Sequence, residues 1–319
     1  MVKEVLAVRP GVALTGEDFA RLADVPPEAE WFANLTNPNT RRAYKSDVRS
    51  FMGFLGIEQG QELRKVVRAH VLAWRKAIAI QAPATVRRKL AAVSSLFDYL
   101  CDRNAVQGNP VSSIQRPKEG ANQGKTPAIS DKQARRLLEA PGDGTVGSLR
   151  DRAILAVFLY QALRRAEAAG LRVGDMVDRR GIPHFTVRGK GGKIRYLPAH
   201  PIAVAAVGEY LKAAGHGKEQ GGALFRPLRN RSSAAGTQAA LSPDSIWRIV
   251  MGYAREVGID VAGFGPHSLR ATSATNALEH GADIAAVSEW LGHASITTTR
   301  LYDKRVVKAE NSPTFRVSY

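Results

Sequence analysis

Apolar residues recur at helical spacing in three stretches of the first hundred residues. Tyr44, Val48, Phe51 and Leu55 form one stripe, between a start signal at Thr36-Asn37-Pro38 and a stop at Gly56. Val67, Val71, Trp74 and Ile78 form a second, in a helix predicted over roughly Val66 to Gln81. Pro83 opens a third, whose stripe is Val86, Leu90, Val93, Phe97 and Leu100. The pattern predicts a bundle of four or five helices that ends at Asn109-Pro110. From Ser112 to Thr126 the chain is polar, with Pro117, Gly120 and Gly124 and no periodic apolar residues, so it reads as a linker.

Beyond the linker, Ser130-Asp131 starts a helix through Leu138, and the apolar run from Ile154 to Tyr160 reads as another. Val187 to Leu197 reads as strand, glycine-rich turn, strand, hence a β-hairpin. Residues 201–214 form an alanine-rich helical stretch, and Ser242-Pro243 caps a helix with Ile246, Ile249, Val250 and Tyr253 inward. Pro266 suits the first turn of the next helix, and Leu291-Gly292 a glycine-capped helix end. Ser295 suits the cap of a last short helix that carries Tyr302. The fold class expected is mainly α with a small β-sheet. The expected divisions are an N-terminal arm over 1–30, a helical domain over 31–111, a linker over 112–126 and a second domain over 127–319. In the arm, Pro10, Pro26 and Pro27 break any long element, leaving Glu17 to Ala23 for a helical turn or two.

Charge narrows the partner. The chain has 319 residues with 46 Lys and Arg against 29 Asp and Glu, a formal charge of +17. A chain this basic most often meets a polyanion, and nucleic acid leads that class. Basic clusters lie on two predicted helices, Arg41, Arg42, Lys45 and Arg49 on one and Arg87, Arg88 and Lys89 near the start of another. With so large an excess they read as DNA-backbone contacts rather than a merely solvated face. No run of eighteen apolar residues suggests a membrane span, and no secretory signal is evident. Cys101 is the only cysteine, which agrees with a reducing cytoplasm, and its helical register makes it a small buried hydrophobe.

The chemistry gathers near the C-terminus. His267, Arg270, His293 and Tyr302 lie within about forty residues. His267 and Arg270 are three apart and share a helix face. A phenol that attacks a phosphodiester must lose a proton, needs cations on the non-bridging oxygens, and needs an acid for the departing oxygen. Arg164 and Lys190 supply further charge, Arg164 with Glu167 at helical spacing and Lys190 at the hairpin tip. Alone, each has a plain reading: His-x-x-Arg as a surface pair, Lys190 as a solvated turn lysine, Tyr302 as core. The Gly-Lys-Gly-Gly-Lys run at 189–193 is not a nucleotide-binding loop, because no Ser or Thr follows either lysine. No cysteine–histidine cluster or carboxylate pair has metal-ligand spacing, so neither metal nor cofactor is expected.

Taken together, Arg164, Lys190, His267, Arg270, His293 and Tyr302 appear in the order and spacing of the tyrosine recombinases, or phage-type integrases. The chain resembles that family from about Pro38 to Tyr302, most of all its Xer and simple-integrase branch. Ala162 stands where the family usually has glycine before Leu-Arg. The resemblance implies an N-terminal helical, SAM-like core-binding domain and a mixed α/β catalytic domain, together a C-shaped clamp on double-stranded DNA. It implies a cytoplasmic, nucleoid-associated enzyme that cuts and rejoins strands through a 3′-phosphotyrosyl bond on Tyr302 and a Holliday junction. The implied assembly is a homotetramer on two sites, with the C-terminal tail docked on a neighbouring subunit. Arg164 and Arg270 would hold the phosphate, Lys190 would protonate the leaving oxygen, and His267 would assist the proton of Tyr302. His293 would donate a hydrogen bond, and Glu167 would orient Arg164. Two alternatives stay open at this point, relaxation of the type IB topoisomerase kind and a DNA-binding protein without catalysis.

Overall fold

The computed structural model describes residues 13, 15, 17, 27–117, 126–142, 144–189, 192–228 and 238–303. Most of the N-terminal arm, the middle of the predicted linker, Lys190 and the C-terminal tail thus lie outside the described residues. The chain divides into two compact units, Met1–Ala121 and Asn122–Tyr319.

The first unit contains α1 (Pro27–Asn34), α2 (Pro38–Leu55), a 3-10 turn (Gly60–Lys65), α3 (Arg68–Ala77) and α4 (Pro83–Asp102). Local chemistry sets the ends of α2. The Asn37 side chain accepts from the backbone N–H groups of Asn39 and Thr40, and Gly56 closes the helix at φ 70°. Phe51, Trp74, Leu90, Val93 and Phe97 build the core, with Phe51 edge-on to both Trp74 and Phe97. Three expectations change in detail. The helix predicted over Val66 to Gln81 covers only Arg68–Ala77, so Val67 precedes it and stays 55% exposed. Ile114, inside the predicted linker, packs into this core. Cys101 is only partly buried, although its thiol is pushed up by burial and by nearby Asp98 and Asp102.

The second unit contains α5 (Asp131–Glu139), α6 (Val146–Gln161) and α7 (Arg165–Ala169), then β1 (Met176–Arg179), β2 (Ile182–Arg188) and β3 (Ile194–Pro198). Then come α8 (Pro201–Ala214), α9 (Pro243–Glu256), α10 (Pro266–Glu279), α11 (Ile284–Leu291) and α12 (Ile296–Arg300). The three strands are antiparallel in the order β1-β2-β3; the sequence predicted the hairpin but not β1. Phe185 faces Leu197 and Val187 faces Arg195 across the hairpin, and the three apolar members of those pairs are buried. Helix α6 is buried nearly all round and packs on α8 and α10. Among the described residues no helix is long and apolar enough to cross a membrane.

Candidate active site

Helix α6 ends at Gln161 because Ala162 turns left-handed, at φ 48° and ψ 36°. An L-residue in that region costs about 1–2 kcal/mol, which glycine avoids. Its methyl is buried in a small apolar cluster with Ala271, Ala274, Leu291 and Tyr302. The turn delivers Arg164 in extended conformation to the N-cap of α7. Glu167 in the first turn of α7 then reaches back to it. Glu167 Oε2 accepts from the Arg164 backbone N–H, and Oε1 from Arg164 Nη1, both at 2.8 Å. Burial pushes the Glu167 carboxyl up. Hydrogen bonds from the Arg164 backbone, the Arg195 side chain and the Arg164 side chain outweigh burial and hold it below the usual carboxylate range. Arg164 Nη2 also donates to the Gly292 carbonyl at 3.2 Å.

Helix α10 carries His267 and Arg270 one turn apart. Arg270 is 1% exposed and donates Nη1 to the Ala162 carbonyl and Nη2 to the Leu291 carbonyl. Its Nε is buried without a partner among the described residues. Both of those acceptors are neutral, so a net positive charge stays in the pocket. Burial first, then Arg164, lowers its pKa to about 10, and it remains a cation at neutral pH. His267 borders an open cleft of about 340 Å³, together with Arg164, Arg165, Trp247 and Phe264. Burial, then Arg270 and Arg164, lowers its pKa below the ordinary histidine value.

Helix α11 closes at Gly292, at φ 63°, and the next residue is His293. His293 Nδ1 lies 2.9 Å from Oγ1 of Thr299, a residue with no exposed surface. The His293 ring stacks on Tyr302 with centroids 6.1 Å apart and planes 25° apart. Burial, then Arg270, Arg164 and His267, lowers the His293 pKa to about 4. Both imidazoles are therefore neutral near pH 7. Tyr302 lies in the turn just past α12, not on the helix as the sequence suggested. Its carbonyl accepts from Thr275 Oγ1 at 3.3 Å. Burial raises the phenol pKa, and the opposing fields of Arg270 and Arg164 do not cancel that rise. The phenol is protonated at neutral pH and needs a base to become a nucleophile.

Arg164, His267, Arg270, His293 and Tyr302 are thus brought together, while Lys190 lies outside the described residues. Sequence reasoning missed Thr299 and Arg195. Nothing in the His293–Thr299 spacing marks the first. The second carried a signal, because in period two along β3 it shares the inward side with Leu197.

The candidate DNA contacts of the first unit divide into two sets. Arg42 and Lys45 are exposed on α2. Arg41 donates to the Leu35 carbonyl at 2.6 Å and caps the end of α1. Arg88 pairs with the buried carboxylate of Asp47, and Lys89 donates to Ser50 at 3.0 Å while lying over the Trp74 ring. Arg87 sits partly buried beside them on α4.

Residues 127–308 match the phage integrase family, and residues 32–104 match the phage integrase N-terminal SAM-like domain. The chain is 31% identical to tyrosine recombinase XerD of Shewanella oneidensis over 85% of this chain and 88% of that one. It is 36% identical to tyrosine recombinase XerC of Pelobacter propionicus over 83% of this chain and 84% of that one. A crystal structure of a lambda integrase tetramer bound to a Holliday junction shares the fold at a TM-score of 0.66 and 16% identity, covering 88% of this chain and 78% of that one. Two guanidiniums, one of them buried, and two neutral imidazoles around a phenol, on a scaffold matched over most of its length, lead to one conclusion: the chain belongs to the phage integrase family, the tyrosine recombinases that transfer DNA strands.

Proposed function

We propose that this protein is a site-specific recombinase that cuts and rejoins DNA through a covalent bond between Tyr302 and a 3′ phosphate. The observation that carries the reading is the placement of the Tyr302 phenol in the field of two guanidiniums, one of them buried on neutral carbonyls. Such a pocket has an excess of positive charge and gains most from an anion. A phosphodiester supplies one negative charge, and its five-coordinate transition state supplies a second. The arginines therefore bind the transition state more strongly than the ground state, which is the requirement for catalysis.

The step balances as follows. The Tyr302 oxygen forms a bond to phosphorus, and the bond from phosphorus to the 5′ oxygen breaks. The phenol proton passes toward His267, whose neutral imidazole can accept it. Lys190 gives a proton to the departing 5′ oxygen. Arg164 and Arg270 hold the non-bridging oxygens with forked, charge-assisted hydrogen bonds, a geometry that lysine does not reproduce. His293 donates from its outer ring nitrogen. The phosphotyrosyl bond conserves the energy of the phosphodiester, so a 5′ hydroxyl from a second cut duplex reverses the chemistry and joins the new strand. Four subunits on two sites carry this through a Holliday junction, with the C-terminal tail of each docked on a neighbour. Exposed Arg42 and Lys45, with Arg41, Arg87, Arg88 and Lys89 nearby, set the first unit against the DNA backbone. The working place is the nucleoid.

The test begins with DNA recovered from cells as a covalent adduct of the protein and sequenced. A nicked suicide duplex built on that sequence is then incubated with wild type and Tyr302→Phe. Wild type is expected to give an adduct on denaturing gels and recombinant product between two sites. Tyr302→Phe is expected to bind the duplex and give no adduct. An adduct from Tyr302→Phe overturns the nucleophile, and relaxation without strand exchange overturns recombination.

A further inference from the structure

On the inward side of the hairpin, Phe185, Val187 and Leu197 are all buried. Arg195, in the same row, puts a guanidinium where the pattern asks for hydrocarbon. Its side chain is 17% exposed, and its Nε is buried without a partner among the described residues. Leaving such a donor unpaired is unfavourable, so an inward arginine is a poor way to hold a sheet together.

Its contacts explain its place. Nη1 and Nη2 fork onto Oε1 and Oε2 of Glu167 at 3.2 and 3.3 Å. The same carboxylate holds the backbone and Nη1 of Arg164. On its other side the Arg195 side chain lies against Gly292. A Cβ there would fall 2.3 Å from Nη1, 2.7 Å from Cζ and 2.9 Å from Cδ. Arg164 Nη2 donates to the carbonyl of that same glycine. The base of the hairpin closes in as well, since a Cβ on Gly189 would lie 3.4 Å from Arg195 Nη1. One planar group therefore touches the Arg164 turn through Glu167, the hairpin base at Gly189, and the turn that carries His293.

Resting on the recombinase reading above, we propose that Arg195 is a positioning residue for strand cleavage, holding Arg164 through Glu167 and the His293 turn through Gly292. It acts through these groups, because each of its Nη atoms bonds Glu167 and its Nε–H is buried. The planar fork is essential to the role. A lysine keeps the charge but cannot take both carboxylate oxygens while lying flat on a glycine. Misplacing a reacting group by about 1 Å costs on the order of 100-fold in rate, and that is the size of effect expected here.

The test compares wild type, Arg195→Met, Arg195→Lys, Glu167→Gln and Glu167→Gln/Arg195→Met, using the nicked suicide duplex described above. Single-turnover adduct formation is measured at saturating DNA, beside duplex affinity and the thermal midpoint. Arg195→Met and Arg195→Lys are each expected to form adduct roughly 100-fold more slowly, with affinity and midpoint close to wild type. The double variant is expected to be no slower than the slower of its two component single variants, since both residues act through one contact. Wild-type speed in Arg195→Met or Arg195→Lys overturns the proposal. So does a rate loss matched by an equal affinity loss, which marks a phosphate contact. If Arg195→Met unfolds, Arg195→Lys decides: folded and slow supports positioning, while folded and fast, or unfolded, assigns Arg195 to stability alone. A wild-type protein that makes no adduct defeats the recombinase reading and this proposal together. A wild-type adduct matched by an equally fast Arg195→Met defeats only the proposal.

Discussion

His293 is constrained from two directions. Thr299 meets Nδ1, and a hydroxyl that donates there leaves the ring proton on the outer nitrogen, where it can reach a phosphate oxygen without a charge on the ring. Burial and the guanidiniums of Arg270 and Arg164, with His267 and Arg195 adding to them, lower its pKa to about 4. The consequence for stability has a definite sign. An unfolded histidine takes its proton near pH ~6.5, while the folded ring resists until the pH is far lower. Between those limits the unfolded state binds more protons, so the fold loses stability as pH falls from about 6.5 toward about 4. His267, also lowered, adds loss of the same sign. His293→Gln removes one such group. Its thermal midpoint is expected to fall less between pH 7 and pH 5 than that of wild type, as read by melts across pH; equal slopes would refute the assignment. The proposed reaction puts a phosphate beside these rings, so DNA binding is expected to flatten the wild-type slope as well.

At the scale of elements, the α2–α4 contact shows what basic clusters do before they meet a ligand. Asp47 on α2 is 1% exposed, and Arg88 on α4 pairs with it. Lys89, one residue on, bonds Ser50 across the same contact. Arg88→Ala is expected to leave a buried carboxylate unpaired and to destabilise the first unit by about 1–3 kcal/mol. That range is below the cost of breaking a fully buried pair, because Arg88 is 43% exposed. Adding Asp47→Asn is expected to recover much of the loss, measured by urea titration, and a double variant as unstable as Arg88→Ala alone would sink the idea. The pairing was not legible in the sequence, since the partners stand 41 residues apart and Arg88 reads there as one more surface cation. Helix ends were legible because they are local: Asn37, Ser130, Ser242 and Gly292 each meet backbone groups within a few residues. The hairpin was legible from its glycine turn. Strand β1 was not, because its four residues are too few to show a period. The site was legible as a list of residues in order. The fork of Arg195 on Glu167 was not, because it depends on strand register across a 28-residue separation.

Across the whole molecule, the excess of positive charge and the division into two cores belong to one argument. Each unit has its own buried cluster, so cations at either surface need not serve as core. On the proposed DNA-binding reading, the formal charge of +17 is expected to act through phosphate contacts, each of which releases condensed counterions. The logarithm of the affinity is expected to fall linearly with the logarithm of salt concentration, with a slope set by the number of phosphates neutralised. Arg42 and Lys45 are exposed on α2 and are expected to belong in that number. Replacing either by alanine is expected to reduce the slope by about 1 and to weaken all duplexes alike. Arg41 is held by the end of α1 and Lys89 by Ser50, so each is expected to change the slope less than Arg42 or Lys45 does. Tyr302→Phe removes no charge and is expected to leave the slope unchanged while abolishing the adduct. Filter binding from low to moderate salt gives all of these slopes on one axis. A flat response to Arg42→Ala and Lys45→Ala together would place the DNA on another face of the first unit.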